Sequence, residues 1–359
     1  MQDSAYRGVL VFKKDKHKMN RKQEFYQDMA NCQEPFTHIA EGSCDDTLQK
    51  IDELFGAADV LSVQNAKKHR RILLALAFVG TLVTFLFLLY DEANLHMLVL
   101  ACVGMILCLF LIGKIANRID CHKKYLEYRV LAESLRVQYF LYSLGVKANV
   151  SELLPWTLKQ CVPWIWEVLE GLPVSNAVPE GEESVEEPLQ VEEAILAKKT
   201  LSGFEQVSAL DGWIRVQRAY HEKALQKTRK QDRISSRVSR VVLIITIVSY
   251  IGAVIFELFL CQKVGGEENA ELIRSIMKIV LGTLSAITLF TGSYYGKMSL
   301  SNVIDDHQRM IALYDQTEQE ILQKGETEEI LLSLAQECLN ENSTWYAYQS
   351  KNTPDINLG

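Results

Sequence analysis

"ILLALAFVGTLVTFLFLLY", Ile72 to Tyr90, decides the fold class. It is an uncharged apolar run, and about 20 such residues cross roughly 30 Å of hydrocarbon as a helix. Within a bilayer a segment must satisfy its own backbone hydrogen bonds, so the run predicts a spanning helix. Three more runs follow: Leu95–Gly113, Val241–Cys261 with Glu257 as its only charge, and Ile279–Gly296. "DEAN", Asp91 to Asn94, leaves room only for a tight turn between the first two. "QKVGGEENAELIRS", Gln262 to Ser275, joins the last two. The expectation is an all-α membrane protein with two transmembrane helical hairpins.

Charge gives the orientation. "KKHRR", Lys67 to Arg71, precedes the first run, and Lys114, Arg118, Lys123 and Lys124 follow the second. Six cations from Lys227 to Arg240 precede the third. The first outer loop has no Lys or Arg; the second has Lys263, Arg274 and Lys278 among glutamates. The positive-inside rule then places both termini and the central segment in the cytoplasm, with the chain in the cell inner membrane. The polar first 66 residues predict no cleavable signal peptide. The net charge of −7 argues against general nucleic-acid binding, which needs a basic surface. None of the eight cysteines forms a C-x-x-C pair, so a reducing setting without a disulfide framework is expected.

The polar segments read as amphipathic helices. Leu48, Ile51, Leu54, Phe55 and Ala58 form a stripe before the first run. After the second comes "YRVLAESLRVQYFLYSLG", Tyr128 to Gly145, whose seam of Tyr125, Tyr128, Ala132, Leu135, Tyr139 and Tyr142 has heptad spacing. Ser134 falls on the face expected to be exposed. With no Pro or Gly between Lys114 and Leu144, this helix and the second span are expected to form one continuous rod. Trp213, Gln217 and Tyr220 continue the pattern before the third run, and Leu300, Ile304, His307, Ile311 and Tyr314 do so after the fourth. These long helices are expected to pack as a cytoplasmic bundle. "LLPWTLKQCVPWIWEVL", Leu153 to Leu169, is either a headgroup-level segment or a Trp-rich helical core. Residues 171–193 are acidic and Pro-rich and read as a linker. The divisions are therefore 1–66, an N-terminal stub and juxtamembrane helix; 67–170, the first hairpin with its helices; 171–193, the linker; 194–349, the second hairpin with its helices; and 350–359, a tail.

No P-loop, G-x-G-x-x-G, H-E-x-x-H or G-x-S-x-G occurs, and the histidines lack metal-ligand spacing, so no enzyme, cofactor or metal is expected. Arg129, Glu133 and Arg136 share one helix face, either as a surface ion-pair ladder or with an arginine reaching a carboxylate or phosphate on a neighbour or ligand. In the fourth run, Gly292-x-x-x-Gly296 fits close helix packing, while Ser285 and Thr288 suit either packing or the lining of a water-filled path. Glu257 lies near the outer end of its run, where an interfacial position costs little.

The string carried by Tyr128, Arg129, Ala132, Glu133, Leu135, Arg136, Gln138 and Gly145, behind a two-span hairpin, resembles the SLATT group. These are bacterial two-transmembrane effectors associated with SMODS nucleotidyltransferases and SLOG domains. Trp213, Gln217 and Tyr220, and an ending with Glu337, Glu341, Asn342 and Trp345, are similar to that group's strings. This chain departs in having two hairpins and no complete SLOG sensor. The resemblance implies a membrane effector in an anti-phage conflict system, pore-forming or membrane-perturbing and homo-oligomeric, with a nucleotide second messenger or sensor protein as its trigger. The alternative is a non-conducting anchor or scaffold for a soluble sensor.

Overall fold

The computed structural model describes residues 20–39, 45–93, 97–172, 208–260, 267–298 and 300–351. Most of the acidic linker (173–193), parts of both interspan connections (94–96 and 261–266) and the tail from 352 lie outside the described residues. All regular structure among the described residues is helical. The elements are α1 (Arg21–Ala30), α2 (Asp46–Ala93), α3 (Leu98–Ile119), α4 (Cys121–Ser143), α5 (Val150–Leu153), α6 (Trp156–Cys161), α7 (Pro163–Glu170), α8 (Arg215–Ile255), α9 (Glu267–Met298), α10 (Leu300–Lys324) and α11 (Glu328–Lys351). A π-turn, Leu210–Ile214, leads into α8, and a second, Phe256–Leu260, ends it.

Four helices are long and apolar enough to span a membrane, and in each the apolar window is only 6–11% buried within the chain. The apolar half of α2 packs against α3 and α9, and α9 also packs against α8. Small residues set the closest approaches. A Cβ on Gly80 would lie 2.5 Å from the Phe290 ring, and one on Gly282 would strike the Leu88 side chain. Hydroxyls bridge α8 and α9: Thr246 to Thr288 and Tyr250 to Ser285, each 3.0 Å. At the far end of the spans, Glu257 takes a two-pronged ion pair from Arg274, at 2.9 and 3.0 Å, and Lys278 meets Glu92 at 2.8 Å.

The other halves of the long helices form a packed hydrophobic core around α4. The Asp45 side chain caps α2, accepting from the backbone of Thr47 and Leu48 at 2.7 and 3.1 Å. α2 then runs without a break through the buried stripe of Leu48, Ile51, Leu54, Phe55 and Ala58. Gly56 lies under the segment that follows α1: a Cβ there would fall on the Thr37 carbonyl oxygen. α4 closes on Gly145, whose φ of 74° suits glycine; Val146 N–H bonds Leu141 C=O and Gly145 N–H bonds Tyr142 C=O, a Schellman ending.

Four expectations are corrected. The second span and α4 are not one rod: Asp120 adopts a left-handed conformation (φ 54°) and separates α3 from α4. Its carboxylate accepts from Arg21 at 2.5 Å, which helps hold this uncommon backbone state. Ser134 is fully buried rather than exposed, because α2 and α11 both pack on α4. The seam entering the third span is shifted. Trp213 and Gln217 are buried, but Tyr220 is 42% exposed, and His221 faces inward instead. Gln217 and His221 stand four positions apart on α8, one turn along the same face. On α10 the buried positions are Met310, Tyr314, Thr317, Glu318 and Ile321, so Met310 takes the place expected of Ile311.

The Trp-rich segment folds as α5 to α7 and contributes Leu158, Val162, Trp164, Ile165 and Leu169 to the core, although Trp156 is 72% exposed. Trp164 packs with Phe25 and Tyr128 at ring separations of 5.9 and 6.2 Å. The core reading of this stretch is therefore the one the structure favours.

Candidate functional site

The aromatic seam of α4 is buried at Tyr128, Ala132, Leu135 and Tyr139, with Tyr125 and Tyr142 partly buried. One helical position away, the same helix carries Arg129, Glu133 and Arg136. These three do not lie on an open surface. With α8, α10 and α11 they wall a cavity of about 90 Å³, also lined by His221, His307, Tyr314 and Glu341. Room of that order holds a few waters.

Glu133 is the hub. Arg129 and Arg136 both ion-pair with it, the latter at 2.5 Å, and Arg129 also reaches Asp59 on α2 at 3.5 Å. The Arg136 guanidinium stacks over Phe55 at 4.9 Å and lies 5.9 Å from the Tyr220 ring. Burial works against the Glu133 carboxylate, but the two arginines outweigh it and hold its pKa below the ordinary value. Opposite, His221 and His307 meet Nδ1 to Nδ1 at 3.1 Å, so one ring donates and the other accepts, and the pair is neutral. Burial lowers both, His221 to about 4. The Tyr314 hydroxyl lies 3.6 Å from the Cys338 sulfur, and burial pushes that thiol up to about 12, which makes it inert as a nucleophile at neutral pH.

Glu341 is pushed the other way. Burial, with Asp306 and Glu133 nearby, raises its carboxyl to about 7. A raised carboxyl binds its proton more tightly in the folded chain, so it favours the folded state below the unfolded value near 4.5. That contribution fades as pH rises through about 7, by roughly 3 kcal/mol at most. Lowered His221 has the opposite sign: its contribution is full above about 6.5 and lost as pH falls towards 4. Over pH 5–7 the two oppose each other. Glu341→Gln should therefore raise the melting temperature at pH 8 and leave a steeper loss of stability on acidification. Melting curves of both proteins from pH 5 to 8 test this; parallel profiles would contradict it.

A second polar cluster joins α1, α4 and α7. Arg21 Nε lies 2.9 Å from Glu127, whose side chain is 3% exposed; Trp164 Nε1 donates to the same carboxylate at 3.1 Å, and Lys123 stands 3.6 Å away. Burial pushes Glu127 up against these donors. Three donors and no acceptor around the carboxylate fit its ionised form. Lys124 reaches Asp28 and Glu24 at 2.7 and 2.8 Å, and the Tyr128 hydroxyl donates to Asp28 at 2.8 Å. None of the α1 partners stood out in the sequence. The usable signal was an unexplained acid, Glu127, inside an otherwise buried stretch of helix.

Of the expected site residues, the structure brings Arg129, Glu133 and Arg136 together with Trp213 and Gln217 in the cavity wall. Ser285 and Thr288 bond across to α8, whereas a Cβ at Gly292 or Gly296 would have open space within 4 Å. Among the described residues no group of three His, Cys, Asp or Glu side chains could hold a metal ion, and the six described cysteines are free.

Residues 57–148, from within α2 through the Gly145 ending of α4, match the family described as "Protein of unknown function (DUF4231)". No curated protein matches the chain, and no solved structure does.

Proposed function

We propose that the chain is a non-enzymatic, multi-pass membrane effector that self-associates and opens or perturbs the bilayer. It would sit in the cell inner membrane as two hairpins, α2–α3 and α8–α9, with both termini and the packed core in the cytoplasm. Its setting would be a nucleotide-signalled or SLOG-linked conflict system, which rests on the sequence resemblance alone. The observation that carries self-association is on α9. Gly292 is exposed, and a Cβ there would meet nothing within 4 Å, on a helix whose apolar window is 6% buried. An open glycine at the head of a G-x-x-x-G spacing on a lipid-facing helix suits the approach of a second copy.

A scaffold for a soluble sensor is the second reading. It is favoured by the hydroxyls of Ser285 and Thr288, which already serve helix packing inside one chain. Gly292→Leu should reduce the oligomer seen by native mass spectrometry in mild detergent. Thr288→Val should keep the oligomer but lower ion leak from vesicles. A strictly monomeric wild type, together with undiminished leak from Thr288→Val, would leave only the scaffold.

A further inference from the structure

Two adjoining clefts lie where the apolar halves of the helices meet the core. The lower, about 550 Å³, opens between α2, α4, α8, α10 and α11. Its wall holds Lys67, Arg70, Arg129 and Lys227, and no aspartate or glutamate. Arg129 is ion-paired to Glu133 and Asp59. Among the described residues Lys67, Arg70 and Lys227 are in no ion pair. In a chain of net charge −7, cations gathered from two helices without a carboxylate repel one another unless an anion lies between them. The positive-inside rule explains why cations flank the span, but not why they face a cleft. Lys68 and Arg71 flank the same span and are absent from the wall.

The upper cleft, about 420 Å³, lies between α2, α3 and α9 and is lined by Leu76, Ile106, Phe110 and Phe290 among other apolar groups. Leu73 and Tyr294 belong to both walls, so the basic cleft runs on into the apolar one. Leu73 starts the first apolar run and Tyr294 nearly ends the fourth, which puts the junction at headgroup depth.

We propose that the joined clefts seat one anionic phospholipid. Its phosphate lies among Lys67, Arg70 and Lys227, and an acyl chain lies between α2, α3 and α9. A soluble phosphate would use only the lower half, and a zwitterionic lipid would bring its own cation into a cationic site. Basic pockets between spanning helices on the cytoplasmic side suit such headgroups. This inference stands whether the chain conducts or only anchors, because it concerns occupancy and not flux.

The test uses the full chain in nanodiscs of phosphatidylcholine alone or with one third phosphatidylglycerol, with retained lipid read by native mass spectrometry. Phosphatidylglycerol should be retained preferentially. Arg70→Gln/Lys227→Gln should lower retention about tenfold or more. Ile106→Trp, which fills the upper cleft from a lipid-facing position, should lower it while leaving the cations in place. Lys147→Gln, outside the cleft, should change nothing. Circular dichroism of each variant in phosphatidylcholine confirms folding. Equal retention of the two lipids, or unchanged retention in Arg70→Gln/Lys227→Gln, would overturn the proposal. Stabilisation by glycerol phosphate in phosphatidylcholine nanodiscs equal to that by phosphatidylglycerol would overturn the lipid and point to a soluble phosphate.

Discussion

Leu135→Asp should unfold the core. Leu135 is fully buried on α4, the helix on which α2 and α11 both pack. Burying an unpaired carboxylate costs several kcal/mol even after it takes up a proton, and the lost leucine adds about 3 kcal/mol. Ser134→Lys should also be strongly destabilising. Ser134 is fully buried and its hydroxyl has no hydrogen-bond partner among the described residues, so a lysine would bring both volume and charge. Ser143→Lys is the control: it lies at the exposed end of the same helix and should stay within about 0.5 kcal/mol. Chemical denaturation in detergent separates these outcomes. If Ser134→Lys behaved like Ser143→Lys, α4 would have an open face and the packing described here would be wrong.

Arg21→Ala should cost roughly 3–5 kcal/mol, the usual range for stripping one partner from a buried ion pair. Its guanidinium contacts Glu127, Asp120 and Glu24, at 2.9, 2.5 and 2.7 Å. Without it Glu127 keeps only the Trp164 indole and a more distant Lys123, and Asp120 loses a partner that helps hold its left-handed backbone. The double change Arg21→Met/Glu127→Leu should recover much of the loss, because a buried pair replaced by apolar groups of similar volume is often close to neutral. Equal melting of Arg21→Ala and the wild type would mean that α1 does not dock on α4.

The spans were legible because hydrocarbon leaves few choices: four apolar runs of sufficient length, with Glu257 their only charge, admit only helices. The α4 seam was legible for a similar reason, since period 3.5 marks a helix packed along one side. What the period does not reveal is how many sides are packed. Ser134 looks polar in sequence, yet α11 returns from some two hundred residues away to cover it. Long-range docking also hid Arg21, whose acidic partners Asp120 and Glu127 lie about a hundred positions on. Register slipped by one position on α8, where Gln217 is followed on the inward face by His221 rather than Tyr220, and His221 is the histidine that meets His307. The ladder of Arg129, Glu133 and Arg136 was found, but its setting as one wall of a polar cavity depends on α8, α10 and α11 converging there. Glycines in the spans were noticed by motif, at Gly292 and Gly296, whereas the span glycines in close contact with another helix are Gly80 and Gly282.

Topology is the claim on which the functional reading depends: the core must lie on one side of the membrane and the ends of both hairpins on the other. Cys161 is exposed on the core, and Lys263 follows the third apolar run in the sequence. Two proteins would each carry a single cysteine, at Cys161 or at Lys263→Cys, with the other cysteines changed to serine. Each would be treated in intact cells with a membrane-impermeant maleimide, before and after permeabilisation. The account predicts that Lys263→Cys labels from outside and that Cys161 labels only after permeabilisation. Labelling of Cys161 in intact cells would contradict it.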